Sequence, residues 1–249
     1  MKKRLWDEFL TERDQKVFSQ GGFGSLAGIG ARPALLIIDV SYNFCGDIRE
    51  PILESIKRFH NSCGEDAWDA LPEIRKLIDK CHEKGVPVIY TTGTVRSDGW
   101  DSGGWAWKNN RTNEDVSESK GNGFNRDGND IMDEIAPSPQ DIVIRKLKPS
   151  AFYGTPLMAF LNDLGADSLI VTGTTTSGCV RASVLDAFSN NLRCTVVEEG
   201  CFDRSQASHA INLCDMHAKY ADVVGVDEAL NQIDKITPVY NLPSGTSPL

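Results

Sequence analysis

This chain lacks long apolar stretches, the usual sign of a membrane or exported protein. None of its apolar runs approaches the ~20 residues that a membrane-spanning helix needs. The N-terminal segment MKKRLWDEFLTERDQ has basic residues but no apolar core of the kind found in secretory signals. These absences predict a cytoplasmic protein without a membrane partner.

Positive charge is also scarce. Lysine and arginine together number 26 and aspartate and glutamate 35, which gives a formal net charge of −9 and a sequence pI near 5.0. Such an acidic chain is not expected to bind nucleic acid. Its 249 residues, 40% apolar and 24% charged, are typical of a globular protein that buries a sizeable core without disulfide or metal staples.

Cysteine pairs are missing and histidines are few. The seven cysteines are odd in number and form no CxxC pair, so neither a disulfide framework nor a structural zinc site is expected. None of the four histidines directly follows a predicted strand, which argues against a Cys–His or Ser–His–Asp triad. The segment GGFGSLAGIG precedes the first strand instead of following it, so the chain has no dinucleotide-binding fingerprint.

What the chain does have is a regular alternation of strand and helix patterns. Short, nearly continuous apolar runs of the kind buried in parallel sheets alternate with apolar stripes at helical spacing. The pattern predicts a single doubly wound α/β domain with a six-stranded, mostly parallel sheet. The predicted strands are residues 34–39, 86–92, 142–146, 168–173, 194–200 and 221–226.

The domain is predicted to span residues 33–235, after an N-terminal arm of residues 1–32 and before a tail of residues 236–249. Within it, residues 93–140 are rich in Gly, Asn, Asp, Ser and Trp and are predicted to form a long loop region. Loops of this length are usually functional or face a partner. The region contains three tryptophans, Trp100, Trp105 and Trp107. The sequence leaves open whether they line a pocket, form a lid or pack against another subunit.

Three reactive side chains lie at the predicted carboxyl ends of strands, where ligands bind in such folds. Asp39 ends the first strand, Lys146 ends the third, and Cys179 opens the helix after the fourth. A helix N-terminus favours the thiolate form of a cysteine. Taken singly, the three residues have ordinary structural roles as a turn-capping aspartate, a solvated lysine and an inert buried cysteine. Taken together, they form a set of base, electrostatic partner and nucleophile.

Four segments give the chain a specific resemblance. They are ALLIIDVSYNFCG, RKLKPSAFYGTPL, LIVTGTTTSGCVRASVLDAF and CFDRSQASHAINLCDMHAKYADVV, of which SGCVRAS within the third is the most diagnostic. Over about residues 33–230 the chain resembles the isochorismatase-like cysteine hydrolase family, and within it the N-carbamoylsarcosine amidohydrolase group. The resemblance implies an isochorismatase-like fold with Rossmann-type layering.

By this resemblance Cys179 is the nucleophile, Asp39 the catalytic acid–base group and Lys146 their cationic partner. Lys146 is chosen over Lys148 because the family's lysine lies four residues before the serine of SAF. The cysteine points to hydrolysis of a C–N bond, since true isochorismatases lack it.

The resemblance also implies an oxyanion hole and a substrate-binding arginine. A cis peptide is expected at Thr174–Thr175, and it directs the N–H groups of Thr175 and Cys179 at the oxyanion. Arg204, in CFDRS, is expected to bind a substrate carboxylate, because a guanidinium fork pairs bidentately with that group. The alternative for Arg204 is a salt bridge to Asp203 or to another nearby acid.

Residues 42–50 contain no histidine, so they lack the zinc motif of nicotinamidases, and neither a metal nor another cofactor is expected. The implied activity is hydrolysis of the terminal C–N bond of a small carboxylate-bearing amide or carbamoyl compound, with release of ammonia. N-carbamoylsarcosine is the leading substrate, and its products are sarcosine, carbon dioxide and ammonia. Maleamate, ureidoacrylate, biuret and nicotinamide-type amides are alternatives, as is a non-catalytic binding role. The group further implies a homo-oligomer, a tetramer in preference to a dimer, with a small molecule as its partner.

Overall fold

The computed structural model describes residues 4–112, 124–237 and 240–245. In these ranges the centre of the fold is a six-stranded sheet with the strand order β3-β2-β1-β4-β5-β6, in which every neighbouring pair is parallel. The strands are β1 (Pro33–Ile38), β2 (Val88–Gly93), β3 (Ile142–Lys146), β4 (Ser168–Thr174), β5 (Arg193–Phe202) and β6 (Asp222–Val224). The predicted doubly wound α/β fold is confirmed.

The described part of the chain contains nine α-helices. They are α1 (Glu12–Gly21), α2 (Tyr42–Cys45), α3 (Ile52–Arg58), α4 (Glu65–Lys84), α5 (Trp105–Lys108), α6 (Leu157–Leu164), α7 (Arg181–Ser189), α8 (Gln206–Lys219) and α9 (Val226–Asp234). None of these helices combines the length and the apolar character that a bilayer crossing requires.

The central strand β1 is covered on both faces, and all six of its residues are buried. Leu35 and Ile37 belong to the apolar core that contains α4 and α9. Leu36 and Ile38 belong to a second core, on the other face, that contains α6, α7 and α8. Because neither face of β1 meets water, its sequence is a continuous apolar run and does not alternate.

The structure shifts the boundaries of every predicted strand except the third by one or two residues; β2, for example, begins at Val88 and not at residue 86. The last strand is predicted over residues 221–226, but β6 ends at Val224 and Val226 already begins α9. The cause is Glu199, whose Oε2 accepts the Val226 N–H at 2.9 Å and so satisfies the first free donor of the helix. In addition, β5 continues beyond its predicted end at residue 200 as far as Phe202.

The long loop region predicted over residues 93–140 contains short helical turns in its described part, and residues 113–123 lie outside the described residues. The turns are Trp100–Ser102, α5 and Asp133–Ile135. After residue 123 the chain packs against the segment that follows β1. Asn43 donates its N–H to the carbonyl oxygen of Gly128 at 2.7 Å, and Ser41 pairs with Ile131. This part of the region is therefore fixed beside the end of the central strand.

Gly173 lies where β4 comes closest to β1. Its φ of +107° is a conformation that other residues rarely adopt, and a Cβ atom there would lie 2.1 Å from the carbonyl oxygen of Ile38. Only glycine satisfies both constraints. The close approach brings the residues after β4 next to Asp39, which directly follows Ile38.

We expect Gly173→Ala to lower the free energy of unfolding by at least ~2 kcal/mol more than Gly85→Ala, because only the first adds a steric clash to an unfavourable φ. Gly85 has a φ of +66° but open space where its Cβ would lie. Urea unfolding followed by circular dichroism measures both losses. Equal losses would show that backbone conformation alone, and not the approach of the two strands, constrains Gly173.

Candidate active site

The carboxyl ends of β1, β3 and β4 bring three side chains into one buried cluster. Asp39 follows β1, Lys146 is the last residue of β3, and Cys179 lies shortly after β4. Lys146 Nζ lies 2.6 Å from Asp39 Oδ2, and each of these two side chains is only 4% exposed. The Cys179 thiol lies beside both, near enough for their charges to act on it. The structure therefore brings together the three residues selected from the sequence.

Lys146 reaches Asp39 across the end of β2, which separates β3 from β1 in the sheet. Two strand spacings amount to about 10 Å, a distance that requires a long side chain. Lys146 Nζ also donates to the carbonyl oxygen of Lys148 at 3.1 Å, and Thr91 of β2 donates its hydroxyl to Asp39 Oδ1 at 3.2 Å. The lysine in contact with Asp39 is thus Lys146, whereas Lys148 contributes its backbone.

Asp39 has a left-handed backbone conformation, with a φ of +55°, which is uncommon in residues other than glycine. Its N–H donates to the carbonyl oxygen of Thr91 at 3.0 Å, and its own carbonyl oxygen accepts the Ser41 N–H at 2.9 Å. These two bonds hold the chain as it leaves β1. Strained conformations of this kind occur at functional sites, where the surrounding structure maintains them. Asp39 is therefore a fixed, buried group and not a turn cap at the surface.

Cys179 lies in a π-helical turn between β4 and α7, within a segment that we name the cysteine turn (residues 174–180). Val180 donates its N–H to the carbonyl oxygen of Thr175, five residues earlier, at 3.2 Å. Turns of this type are frequent at functional sites. The peptide bond Thr174–Thr175 is cis, as the resemblance implied. Among the described residues the Thr175 N–H has no protein acceptor, so it is available to a ligand.

The surroundings of Cys179 oppose the loss of its proton. Burial raises the pKa of Cys179 to about 12, the negative charge of Asp39 raises it as well, and Lys146 lowers it only in part. The loss of hydration thus opposes the helix N-terminus, which favours the thiolate. The thiol has a proton to lose and a carboxylate beside it that can accept this proton.

Lys146 keeps its positive charge in the cluster. Burial lowers the pKa of Lys146, but the negative charge of Asp39, and that of Cys179 in its thiolate form, raise it by more, so its pKa lies above the ordinary value. A buried ammonium group remains charged only beside a compensating anion. Lys146 is therefore a permanent cation next to both of the groups that exchange the thiol proton.

Serine side chains connect the loop after β3 to the helix that follows Cys179. Ser183 of α7 donates its hydroxyl to the carbonyl oxygen of Cys179 at 2.7 Å and accepts the N–H of Ala151 at 2.9 Å. Ser150 donates to Asp186 Oδ2 at 2.5 Å. The SAF segment is thus attached to α7, and the positions of the lysine and the cysteine are coupled through it.

Arg204 follows β5 and is exposed. Its Nη1 donates to the carbonyl oxygen of Asn61 at 3.0 Å, which among the described residues is the one hydrogen bond of the guanidinium. The alternative of a salt bridge to Asp203 is wrong, because that carboxylate is used elsewhere. Asp203 accepts the backbone N–H of Arg204 at 2.7 Å, and the N–H and hydroxyl of Ser177 at 2.8 and 2.6 Å.

Sequence reasoning missed two groups that contact the cysteine turn. The sequence pattern gives Asp203 only as a partner for Arg204, and His209 is one of the histidines that do not directly follow a predicted strand. His209 Nδ1 lies 2.7 Å from the hydroxyl oxygen of Thr176, and burial lowers the pKa of this histidine. It bonds a threonine near the cysteine and not the thiol. Position was an available signal for Asp203, which directly follows β5, whereas His209 lies within α8 and has no such signal.

The tryptophans of the long loop region differ in their surroundings. Trp105 Nε1 donates to the carbonyl oxygen of Leu147 at 3.4 Å, directly after Lys146. Trp100 and Trp107 are 82% and 81% exposed. Trp105 therefore lies at the rim of the cluster, whereas a lid or a subunit contact stays a prediction for the other two.

Within residues 4–112, 124–237 and 240–245, no group of three or more His, Cys, Asp or Glu side chains is placed to hold a metal ion. The seven cysteines are all buried and unpaired. Cys179 is thus one of several shielded thiols, and its neighbours Asp39 and Lys146 distinguish it from the others.

The isochorismatase domain matches residues 33–228 of this chain. The chain belongs to the isochorismatase family. N-carbamoylsarcosine amidase from Arthrobacter sp. is 30% identical over 231 residues, which cover 90% of this chain and 80% of that protein. Maleamate amidohydrolase from Pseudomonas putida is 28% identical, with 86% of this chain and 92% of that protein covered.

Among solved structures, N-carbamoylsarcosine amidase from Thermoplasma acidophilum has a TM-score of 0.58 to this chain at 25% identity, and the match covers 79% of this chain and 97% of that one. The predicted family and its fold are thus confirmed, and so is the coarse class of an isochorismatase-family amidohydrolase. The substrate stays a prediction. So do the roles assigned to Asp39, Lys146, Thr175, Cys179 and Arg204.

We expect Asp39→Asn to lower the pKa of Cys179, because it removes a negative charge that opposes the thiolate and leaves Lys146 to stabilise it. Lys146→Met is the matched opposite and raises that pKa. Iodoacetamide reacts with the thiolate, so the pH dependence of Cys179 alkylation, followed by peptide mass spectrometry, reports the change. A midpoint in Asp39→Asn that is unchanged or higher would contradict the placement of the carboxylate beside the thiol.

Proposed function

We propose that the protein is a cysteine amidohydrolase that releases ammonia from the terminal carboxamide or carbamoyl group of a small carboxylate-bearing substrate. The observation that supports this most is the Cys179 thiol beside a carboxylate and an ammonium group that are themselves 2.6 Å apart. Burying such a charged pair is unfavourable compared with apolar packing, so a purely structural role explains it poorly. A nucleophile beside a base, with a cation to balance the charge, is what acyl transfer requires.

In the first half-reaction Asp39 accepts the thiol proton, and Cys179 Sγ attacks the carbonyl carbon and forms a C–S bond. Lys146 lies beside both groups and balances the negative charge as it moves from the carboxylate to the sulfur. The carbonyl oxygen becomes an oxyanion, which accepts hydrogen bonds from the N–H groups of Thr175 and Cys179. The C–N bond then breaks, Asp39 returns the proton to the leaving nitrogen, and ammonia departs.

In the second half-reaction water cleaves the acyl-enzyme. Asp39, again ionised, takes a proton from the water as its oxygen attacks the carbonyl carbon. The C–S bond breaks, and Asp39 gives the proton to the departing Cys179 sulfur. A carboxamide substrate leaves as a carboxylate. A carbamoyl substrate leaves as a carbamate, which loses carbon dioxide.

The proposal that the substrate has a carboxylate rests on Arg204. Its guanidinium is exposed, is held at one nitrogen by Asn61, and belongs to the segment that Asp203 joins to the cysteine turn. N-carbamoylsarcosine is the leading substrate, because the amidases of that name resemble this chain over 90% and 79% of its length. Maleamate is the second candidate, since the maleamate enzyme matches 86% of the chain. Both compounds have a carboxylate and a terminal amide group.

A screen of ammonia release tests the proposal directly. About twenty small amides are offered, and each carboxylic acid is paired with its neutral methyl ester or amide. A substrate that lacks the carboxylate leaves its partner in the site unpaired, which should lower kcat/KM about tenfold or more. We expect N-carbamoylsarcosine or maleamate to give the highest kcat/KM, and each acid to exceed its neutral partner. Turnover of neutral amides alone, or of none, would refute the substrate class.

We expect Cys179→Ala to abolish ammonia release while the circular dichroism spectrum stays that of the wild type, because the C–S bond can no longer form. Lys146→Met should lower kcat by at least about 100-fold, since it removes the cation that balances the moving charge. Lys148→Met, which retains the backbone carbonyl that Lys146 uses, is the matched control and should lose less than threefold, roughly the effect of a surface change. Similar losses at both lysines would show that the wrong one was chosen.

We expect Arg204→Ala to lower kcat/KM at least about tenfold toward a carboxylate substrate, because a charge-assisted contact is worth about 1.5–3 kcal/mol. Arg204→Lys should recover little, since an ammonium group cannot reproduce the bidentate fork. The methyl ester of the same substrate is the control, and it should lose far less because it never made the contact. Equal losses on acid and ester would assign Arg204 to the fold instead of the substrate.

A further inference from the structure

Asp203 joins the cysteine turn to the segment that contains Arg204. Residues 203–205, which we name the arginine loop, connect β5 to α8. Asp203 Oδ2 accepts both donors of Ser177, the N–H at 2.8 Å and the hydroxyl at 2.6 Å, and Oδ1 accepts the N–H of Arg204 at 2.7 Å. The residue is only 6% exposed, so these charge-assisted bonds are shielded from water. One buried carboxylate thus holds two segments of the site.

Two further contacts reinforce this connection. The hydroxyls of Thr174 and Thr176 both donate to the carbonyl oxygen of Phe202, at 3.1 and 3.3 Å, directly before Asp203. The far end of the Arg204 side chain is bound to the Asn61 carbonyl oxygen. The arginine loop is therefore held against the cysteine turn on one side and at the guanidinium on the other. These protein contacts define where the guanidinium lies relative to the thiol.

We propose that Asp203 is a positioning residue that sets the separation between Arg204 and Cys179, and with it the length of the carboxylate substrate that the site accepts. The inference rests on the proposed function, in which Arg204 binds the carboxylate while Cys179 attacks the other end of the molecule. A fixed separation aligns only a substrate whose carboxylate and carbonyl carbon match it. A misplacement of about 1 Å at the reacting atoms can cost about 100-fold in rate.

Two substitutions of Asp203 change this connection in different ways. Asparagine has a single acceptor oxygen, so it can serve Ser177 or Arg204 but not both, and its amide group faces an N–H donor on the other side. Glutamate keeps the charge and both acceptors but adds one C–C bond of about 1.5 Å, which moves the arginine loop away from the cysteine turn. Asp203→Asn therefore loosens the separation, whereas Asp203→Glu lengthens it.

The matched control is Ser205→Ala. Ser205 lies in the same loop and caps α8 by accepting the N–H of Ser208 at 3.3 Å, and it does not bond the cysteine turn. Removal of the Ser205 hydroxyl destabilises the same region because α8 loses its N-cap hydrogen bond. A milder variant, Ser177→Ala, removes one of the three donors to Asp203 and retains the backbone bond, so it tests the connection even if Asp203→Asn fails to fold.

The first measurement is hydrogen exchange of the peptide covering residues 174–180, which needs no substrate. We expect exchange to accelerate at least about tenfold in Asp203→Asn and by a smaller factor in Ser177→Ala, because the Ser177 N–H loses its charged acceptor or part of its support. Ser205→Ala should leave this peptide unchanged. Exchange that stays at the wild-type rate in both Asp203→Asn and Ser177→Ala would overturn the inference.

The second measurement is the ratio of kcat/KM for N-carbamoylglycine to that for N-carbamoyl-β-alanine, two acids that differ by one methylene. We expect the wild type to prefer the shorter acid at least about tenfold. Asp203→Asn should reduce this ratio at least about threefold, because a loosened loop lets acids of both lengths align with the thiol. Asp203→Glu should shift the ratio toward the longer acid by about tenfold, because it lengthens the separation. In Ser205→Ala the ratio should stay at the wild-type value.

The outcomes distinguish the positioning role of Asp203 from the proposed amidohydrolase function. Variants of Asp203 that lose activity equally on both acids, with the ratio unchanged, would overturn the positioning role while the proposed function stands. A wild type that hydrolyses neither acid nor any other carboxylate substrate would refute the proposed function, and the exchange rates alone would then decide whether Asp203 fixes the cysteine turn. A shifted ratio together with accelerated exchange supports the inference.

Discussion

The ion pair between Lys146 and Asp39 is the contact on which the rest of the site depends, because two charges 2.6 Å apart are held there away from water. Removing such ions from water costs several kcal/mol each, and only good geometry with further hydrogen bonds offsets that cost. The Thr91 hydroxyl and the Lys148 carbonyl oxygen supply those bonds. The cluster can therefore form only when three strands and the turn after a fourth are assembled.

The order of the strands explains why the cluster lies where it does. β1 has β2 on one side and β4 on the other, so the chain connections diverge at the end of β1 and leave a space there, as in other doubly wound sheets. Gly173 allows β4 to approach β1 closely at this end. The cysteine turn is then attached to the loop after β3 through Ser183, and to the loop after β5 through Asp203. The nucleophile is thus held from both sides, as a preorganised site requires.

The fold and three of the site residues could be predicted because their signals are local. A strand buried on both faces is a continuous apolar run, so Asp39, which directly follows β1, is visible in the sequence. Lys146 is visible as the end of the short apolar run of the edge strand β3. The glycine-containing turn before Cys179 is equally visible. The boundary between β6 and α9 could not be predicted, because the Glu199 side chain that starts the helix comes from another strand. The same holds for His209, which reaches Thr176 from within a helix.

By itself the sequence determined the fold class, the family and the identity of the three clustered side chains, because apolar periodicity and the order of residue types are properties of short segments. Only the tertiary structure decided the surroundings of the Cys179 thiol, where burial and the nearby carboxylate raise its pKa against the effect of the helix N-terminus that the sequence displays. It also decided that Arg204 contacts Asn61, 143 residues away, and that Asp203 bonds the cysteine turn. Hydration and contacts between distant segments exist only once the chain has folded, so no local pattern records them.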